Sequence, residues 1–226
     1  MAFYSFSPTI KTEKEVLQKD GVTLVVVNVA LPSLSERDDP FAKSLNGLYT
    51  RISEGFLNYC RGPFCRKAEK SSESKDFVPY GAVIKTVPAF ENSYLFSCYF
   101  DVRMTNGTVS SIARLSQTFD KSNGNLLRLE KLFKRRTKPE LMKLLAEDAK
   151  NRGERGVASI FSDYERRLRK FFNSRSFYLS PTGFVFYYGE GELGTSKGIC
   201  PLSVNLEDCS ELLTDQGKEW LINAED

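Results

Sequence analysis

The chain has 226 residues, 41% of them apolar and 12% aromatic, including 17 Phe and 10 Tyr; this is a globular composition with room for one sizeable core or two small ones, and it excludes a disordered chain. It has no histidine, which excludes Ser-His-Asp and Cys-His catalysis, His-ligated zinc and an imidazole pH switch. The formal net charge is only +3, yet residues 126–175 hold 15 Lys/Arg against 7 Asp/Glu while residues 189–226 hold 2 against 9. Such a dipolar distribution can select a charged partner or join two parts of one fold.

In chain order, VTLVVVNVAL (22–31) is nearly continuously apolar and β-branched and reads as a buried strand broken at Pro32. A long amphipathic helix is predicted next. Asp39 can cap it, Pro40 suits its first turn, and Phe41, Leu45, Leu48, Ile52, Phe56 and Tyr59 recur at spacings of three and four, until Gly62-Pro63 stops it. The polar run 66–76 reads as a loop, and 79–88 as a strand. In SYLFSCYFDVRM (93–104), Tyr94, Phe96, Cys98, Phe100, Val102 and Met104 alternate onto one face. Asn106-Gly107 then fits a two-residue turn with φ > 0 at both central positions, with 108–119 as the return strand.

In the run TFDKSNGNLLRLEKLF (118–133), Asp120 and Asn123-Gly124 make a turn and Leu126 to Phe133 supply core. Thr137 with Glu140 forms a capping-box pattern for a helix reaching Gly153, and a second helix is predicted over 157–172. A hairpin turns at Pro181-Thr182-Gly183, a strand follows near 199–205, and a short helix around 206–222 closes the chain. The fold class expected is α+β: mainly antiparallel sheets with a long N-terminal amphipathic helix and a central helical pair. The chain is expected to be one unit, 1–226, divisible into subdomains 20–92 and 93–213.

Candidate chemistry is sparse. The five cysteines, Cys60, Cys65, Cys98, Cys200 and Cys209, are odd in number and include no CxxC pair, which points to structural thiols without a disulfide framework, metal or cofactor. Gly189-Glu190-Gly191-Glu192-Leu193-Gly194 spells GxGxxG but precedes no βαβ unit, and its two acids repel a pyrophosphate; a flexible acidic loop is expected. Asp101 and Asp120 are the carboxylates a hydrolase of wall polysaccharide would need, with turn duty the competing role of Asp120. Lys131, Lys134, Arg135, Arg136 and Lys138 form a basic stretch that reads as a solvated face or as a site for an anionic partner, with no recognised nucleic-acid module beside it. No window approaches the roughly 20 apolar residues of a membrane helix. MAFYSFSPTIKTEKE lacks the regions of a secretory leader, so with Met1 as the start a cytoplasmic protein is expected.

The order VALPSL, a helix carrying Asn46-Gly47, YLFSCYFDVRM, Asn106-Gly107, TFD, NGNLLRLEKLF, a helical pair, FYLSPTGFVFYYGE and GICPLSVNLEDCSELL resembles the extracytoplasmic domain of RsiV-type anti-sigma factors, shared with the N-terminal region of PdaC-type peptidoglycan deacetylases. The resemblance spans residues 20–213. The family's Gly-Gly-Ala-His-like segment in the hairpin return is replaced here by NGTVSSIAR. The resemblance implies a bacterial α+β binding module without catalytic machinery, monomeric, whose partner is a protein such as lysozyme or a cell-wall glycan. Common lysozymes are cationic, so their binding would use Glu190, Glu192, Glu207 and Asp208. The other classes are a cryptic carboxylate-based hydrolase and a cytoplasmic binder of an anionic partner through Lys134, Arg135 and Arg136.

Overall fold

Asp20 and Gly21 both take positive φ, 50° and 80°, and this two-residue turn folds the N-terminal segment back on its neighbour as a hairpin. Its strands are β1 (Thr9–Lys19) and β2 (Val22–Ser33), registered from Thr9↔Ser33 to Lys19↔Val22. The computed structural model describes residues 8–35, 40–195 and 197–222, without the side chains of Pro40, Phe41 and Ser44. The expected cap Asp39 lies outside the described residues, as does the side chain of Phe41.

The remaining elements are α1 (Pro40–Tyr59), a π-turn over Cys60–Phe64, α2 (Cys65–Ser71), β3 (Tyr80–Glu91), β4 (Leu95–Asn106), β5 (Val109–Asp120), α3 (Leu129–Leu132), α4 (Lys138–Glu154), α5 (Tyr164–Phe171), β6 (Phe177–Ser180), β7 (Gly183–Tyr188), β8 (Cys200–Asn205), α6 (Leu206–Cys209), a 3-10 turn and α7 (Asp215–Leu221). Five strands form one sheet in the order β1-β2-β3-β4-β5, and three form another in the order β6-β7-β8.

The expected fold of mainly antiparallel sheets behind a long N-terminal helix is therefore corrected. Strands begin at residue 9, ahead of any helix, and β2 pairs with β3 in parallel, Val25↔Tyr80 to Ala30↔Lys85. The long helical run is the crossover between these two parallel strands. It also passes the expected stop at Gly62-Pro63. A π-turn widens the helix around Pro63, whose missing N–H cannot serve the regular ladder, and Cys60, Phe64 and Ala68 continue the buried stripe into the segment read as a loop. The buried face is rotated from the expected one: Ala42, Leu45, Tyr49 and Leu57 are buried, whereas Ile52 and Tyr59 are exposed.

Packing divides the chain into two units: residues up to Thr86 with Phe100–Ala113, and Val87–Tyr99 with the chain from Arg114 onward. In the first, α1 and α2 cover β2, with Leu24, Val25, Val27 and Val29 beneath them and Tyr49 5.9 Å from Phe100, ring to ring. The β4–β5 turn is shifted by one residue from expectation: Gly107 takes φ of +63° and Asn106 remains in the strand.

The second unit holds the larger core. Phe177, Phe184 and Phe186 of β6 and β7 meet Leu141, Leu145 and Leu168, and Leu202 and Val204 of β8 complete the layer. Each such side chain contributes about 1.5–3 kcal/mol. The other face of β6 and β7 carries Tyr178, Val185 and Tyr187 against Tyr99. Leu126, expected in the core, is 55% exposed. The second predicted helix is confined to α5, because 157–163 instead runs beside the 189–195 loop: Ile160 bridges Gly194 and Phe161 N donates to Leu193 O at 2.9 Å. Thr137 makes no cap bond to the helix; its hydroxyl donates to Lys134 O at 2.8 Å, so the capping box does not form.

Candidate functional site

The four acids assigned to a cationic partner do not share a patch. Glu190 and Glu192 follow Tyr188 at one end of the β7–β8 ladder, and Glu207 and Asp208 follow Asn205 at the other. Six registered pairs separate them, roughly 17 Å of strand. Glu192 is also engaged: its carboxylate accepts from Gly189 N at 2.6 Å. Asp208 accepts from Asn205 Nδ2 at 3.2 Å, and Glu207 is exposed.

The 189–195 loop, expected to be flexible, is pinned. A Cβ on Gly194 would come within 2.0 Å of Ser159 O, so only glycine lets the 158–161 backbone approach. Arg167 Nη1 donates to the carbonyls of Gly191 and Glu192 at 3.3 Å. Asp120 performs turn duty: its carboxylate accepts from Ser122 N at 2.9 Å, Ser122 Oγ at 2.6 Å and Asn123 Nδ2 at 2.7 Å. Asp101 belongs to the other unit, in β4. All five cysteines are free, and burial pushes the Cys60 and Cys209 thiols up to about 11. Among the described residues no three His, Cys, Asp or Glu side chains converge as a metal site, and no helix is long and apolar enough to cross a membrane.

Part of the charge dipole is consumed inside the second unit. Lys134 donates through its backbone to Leu212 O at 2.8 Å and through Nζ to Glu211 O at 2.9 Å. The hydrogen bond from Lys218 at 3.0 Å, with further help from Lys134, holds the Glu211 carboxyl below its ordinary range. Arg152 donates to Asp148, which also accepts from Ser203 N at 2.9 Å. Arg167 pairs with Asp163 at 2.8 Å and lies 4.2 Å over the Phe161 ring.

A cluster of the remaining cations lines one groove of about 880 Å³, between the α3–α4 connection and the chain after α5. Arg128, Lys131, Lys134, Arg135, Arg136 and Lys138 surround it, with Glu130 the one acid. Arg128, Lys131, Arg135 and Arg136 have no acidic partner among the described residues. Phe133, Leu141 and Phe172 supply its apolar lining, and Lys138 Nζ sits 4.9 Å over the Phe172 ring. Arg136 is held at φ +68°, a region uncommon for residues with a side chain and worth about 1–3 kcal/mol of strain, of the kind that gathers at binding sites. Three of the predicted site residues, Lys134, Arg135 and Arg136, are thus brought together. Arg128 and Phe172 complete the groove; spacing in the sequence does not mark either, and the adjacent pair Phe171-Phe172 is the one local signal.

No sequence-family profile matches the chain, and no curated protein matches it. Among the solved structures that share its fold are two DUF3298 proteins. One is a DUF3298 family member from Bacteroides fragilis NCTC 9343, 15% identical over 93% of this chain and 94% of that one, with a TM-score of 0.59. The other is a DUF3298 family protein from Pseudomonas aeruginosa PAO1, 12% identical over 94% and 96%, with a TM-score of 0.62. At these identities the likeness establishes the fold alone: the chain is folded like proteins of a domain family of unknown function.

Proposed function

We propose that the chain is a non-catalytic binding module that takes an anionic partner in the groove around Arg135 and Arg136. The observation that carries this is the ring of six cations around a single acid, four of those cations making no ion pair among the described residues. Like charges held together in a concave surface raise the local potential and draw in a counter-charged ligand. The DUF3298-type fold supports a bacterial domain of unknown function; a module that binds rather than reacts is what the sequence's resemblance to RsiV-type and PdaC-type domains implies. That resemblance also favours a second reading, capture of a cationic protein such as lysozyme through Glu190, Glu192, Glu207 and Asp208. It has less support, since one partner would have to span both ends of the β7–β8 ladder.

Labelled polyglutamate and inorganic polyphosphate, titrated with the protein by fluorescence anisotropy, test the leading reading. At least one is expected to bind, to weaken as salt rises through the range where the Debye length shrinks to about 8 Å, and to be lost in Arg135→Glu/Arg136→Glu. Absence of binding by both at low ionic strength overturns it, and lysozyme binding abolished by charge reversal at Glu190 and Glu207 would install the second reading instead.

A further inference from the structure

We infer that the basic groove continues past Lys138 into the trough between α4 and α5, and that the partner of this combined track is an acidic, amphipathic segment of another protein. This rests on the anionic reading above and deepens it.

Three observations carry the inference. A second groove, of about 730 Å³, lies between α4 and α5, and Lys138 lines both. Each volume falls within the roughly 300–1,000 Å³ of ordinary ligand pockets, and together they make a track rather than a point site. The second groove differs in character from the first. Its floor is apolar, made by Pro139, Met142 and Ala146 on one face of α4 and Leu168 on α5. Its rim keeps the positive sign, with Lys138, Lys143 and the exposed Arg169, and Glu165 the one acid.

The pairing of an apolar floor with a cationic rim separates partner classes. A phosphate polymer or an acidic glycan matches the rim and leaves the floor unused. An amphipathic peptide lays apolar side chains spaced by three or four residues into such a trough, while its flanking carboxylates meet the cations. Lys143 and Arg169 would face those carboxylates on the two walls. The Arg135-Arg136 turn would hold acids beyond the end of the apolar stripe.

The test compares three probes by anisotropy at one salt concentration: a helical peptide with Leu at i, i+3, i+4 and i+7 and Glu elsewhere, polyglutamate of equal charge, and inorganic polyphosphate. The amphipathic peptide is expected to bind about tenfold tighter than polyglutamate, a difference of about 1.4 kcal/mol. Lys143→Glu/Arg169→Glu, both at exposed positions, is expected to remove that advantage while changing polyglutamate affinity less than about threefold. Arg135→Glu/Arg136→Glu is expected to weaken both peptides. Equal affinity for the two peptides, or peptide binding indifferent to Lys143→Glu/Arg169→Glu, overturns the inference while leaving the anionic reading in place. Polyphosphate binding tighter than the peptide also overturns it, assigning a phosphate polymer. Failure of all three probes removes the anionic reading as well.

Discussion

Asn46 grips the backbone of Leu34 with both ends of its amide: Leu34 N donates to Oδ1 and Nδ2 donates to Leu34 O, each at 2.9 Å. Leu34 is 8% exposed, so its peptide groups have little access to water. One helix side chain therefore closes the chain leaving β2. Asn46→Ala strands the Leu34 N–H and C=O, at about 1–3 kcal/mol per unsatisfied group. The melting temperature is expected to fall by several degrees, at about 2–4 °C per kcal/mol for a chain of this size. A denaturant midpoint unchanged in Asn46→Ala contradicts the assignment.

Two glycines are predicted to respond in opposite directions to the same substitution. Gly194→Ala drives a Cβ to 2.0 Å from Ser159 O, a backbone atom that moves only if the 158–161 pairing opens. Overpacking of this kind costs about 1–3 kcal/mol or more. Gly55 is an exposed residue inside α1 with nothing within 4 Å of its prospective Cβ. Gly55→Ala is expected to stabilise by about 0.5–1 kcal/mol through helix propensity. Urea titrations of the two variants beside the parent read both signs.

The elements legible in the sequence are those with a buried face and a period to match. β4, β6, β7 and β8 each carry alternating or continuous apolar residues bounded by turn residues, and they stand close to where the pattern puts them. β1 was invisible because TIKTEKEVLQK buries almost nothing; its Lys and Glu side chains protect an exposed sheet edge, and only Asp20-Gly21 marks the hairpin. The face of α1 was misphased because the helix is apolar on more than one side, and Ala42, too small to weigh in a pattern, proves buried where Ile52 is not. The site was half legible. The basic run is continuous in sequence, but its concavity depends on Phe172, brought back by α5 from far along the chain, and no local pattern records that.

The buried thiols predict an alkaline limit to stability. Desolvation, with lesser contributions from nearby Glu15 and Asp208 respectively, lifts the Cys60 and Cys209 thiols to about 11. In the unfolded chain they ionise near about 8.5. The folded state therefore keeps protons that the unfolded state releases, and the associated stability is complete below about pH 8.5 and lost as pH rises toward 11. Urea midpoints measured at pH 7, 9 and 10.5 are expected to fall across the upper window, and to fall less steeply in Cys60→Ala/Cys209→Ala. Parallel slopes in parent and variant exclude these thiols as the cause.

Asp163 sets the opposite limit. Hydrogen bonds from Arg166 and then Arg167 hold its carboxyl below the usual carboxylate range. A depressed acid stabilises the fold above its unfolded value, near about 3.9, and loses that contribution as pH falls through its folded value. Arg167 also holds the Gly191 and Glu192 carbonyls. Asp163→Asn is accordingly expected to flatten the acid side of the stability profile and, at neutral pH, to speed amide hydrogen exchange in residues 189–195. Unchanged exchange in that loop would show that Arg167 is held without Asp163.

Tyr188 offers a stabilising change at the end of β7. It is 2% exposed, and its hydroxyl has no hydrogen-bond partner among the described residues. Burial, reinforced by Glu192 and Cys200, pushes the phenol well above its ordinary value, so it stays neutral wherever the fold persists. An unpaired buried hydroxyl costs about 1–3 kcal/mol, whereas a ring without it fills nearly the same space. Tyr188→Phe is expected to raise stability by about 1 kcal/mol, on the low side of that range because the neighbouring packing relaxes little. Tyr187, one residue earlier, is the internal control: its hydroxyl lies 3.1 Å from Ser116 Oγ, and Tyr187→Phe is expected to destabilise by about as much. The pair of opposite shifts, read in the same thermal melts, distinguishes a lost hydrogen bond from a general tolerance for Phe in this strand; a destabilised Tyr188→Phe would mean that the hydroxyl finds a partner in solution.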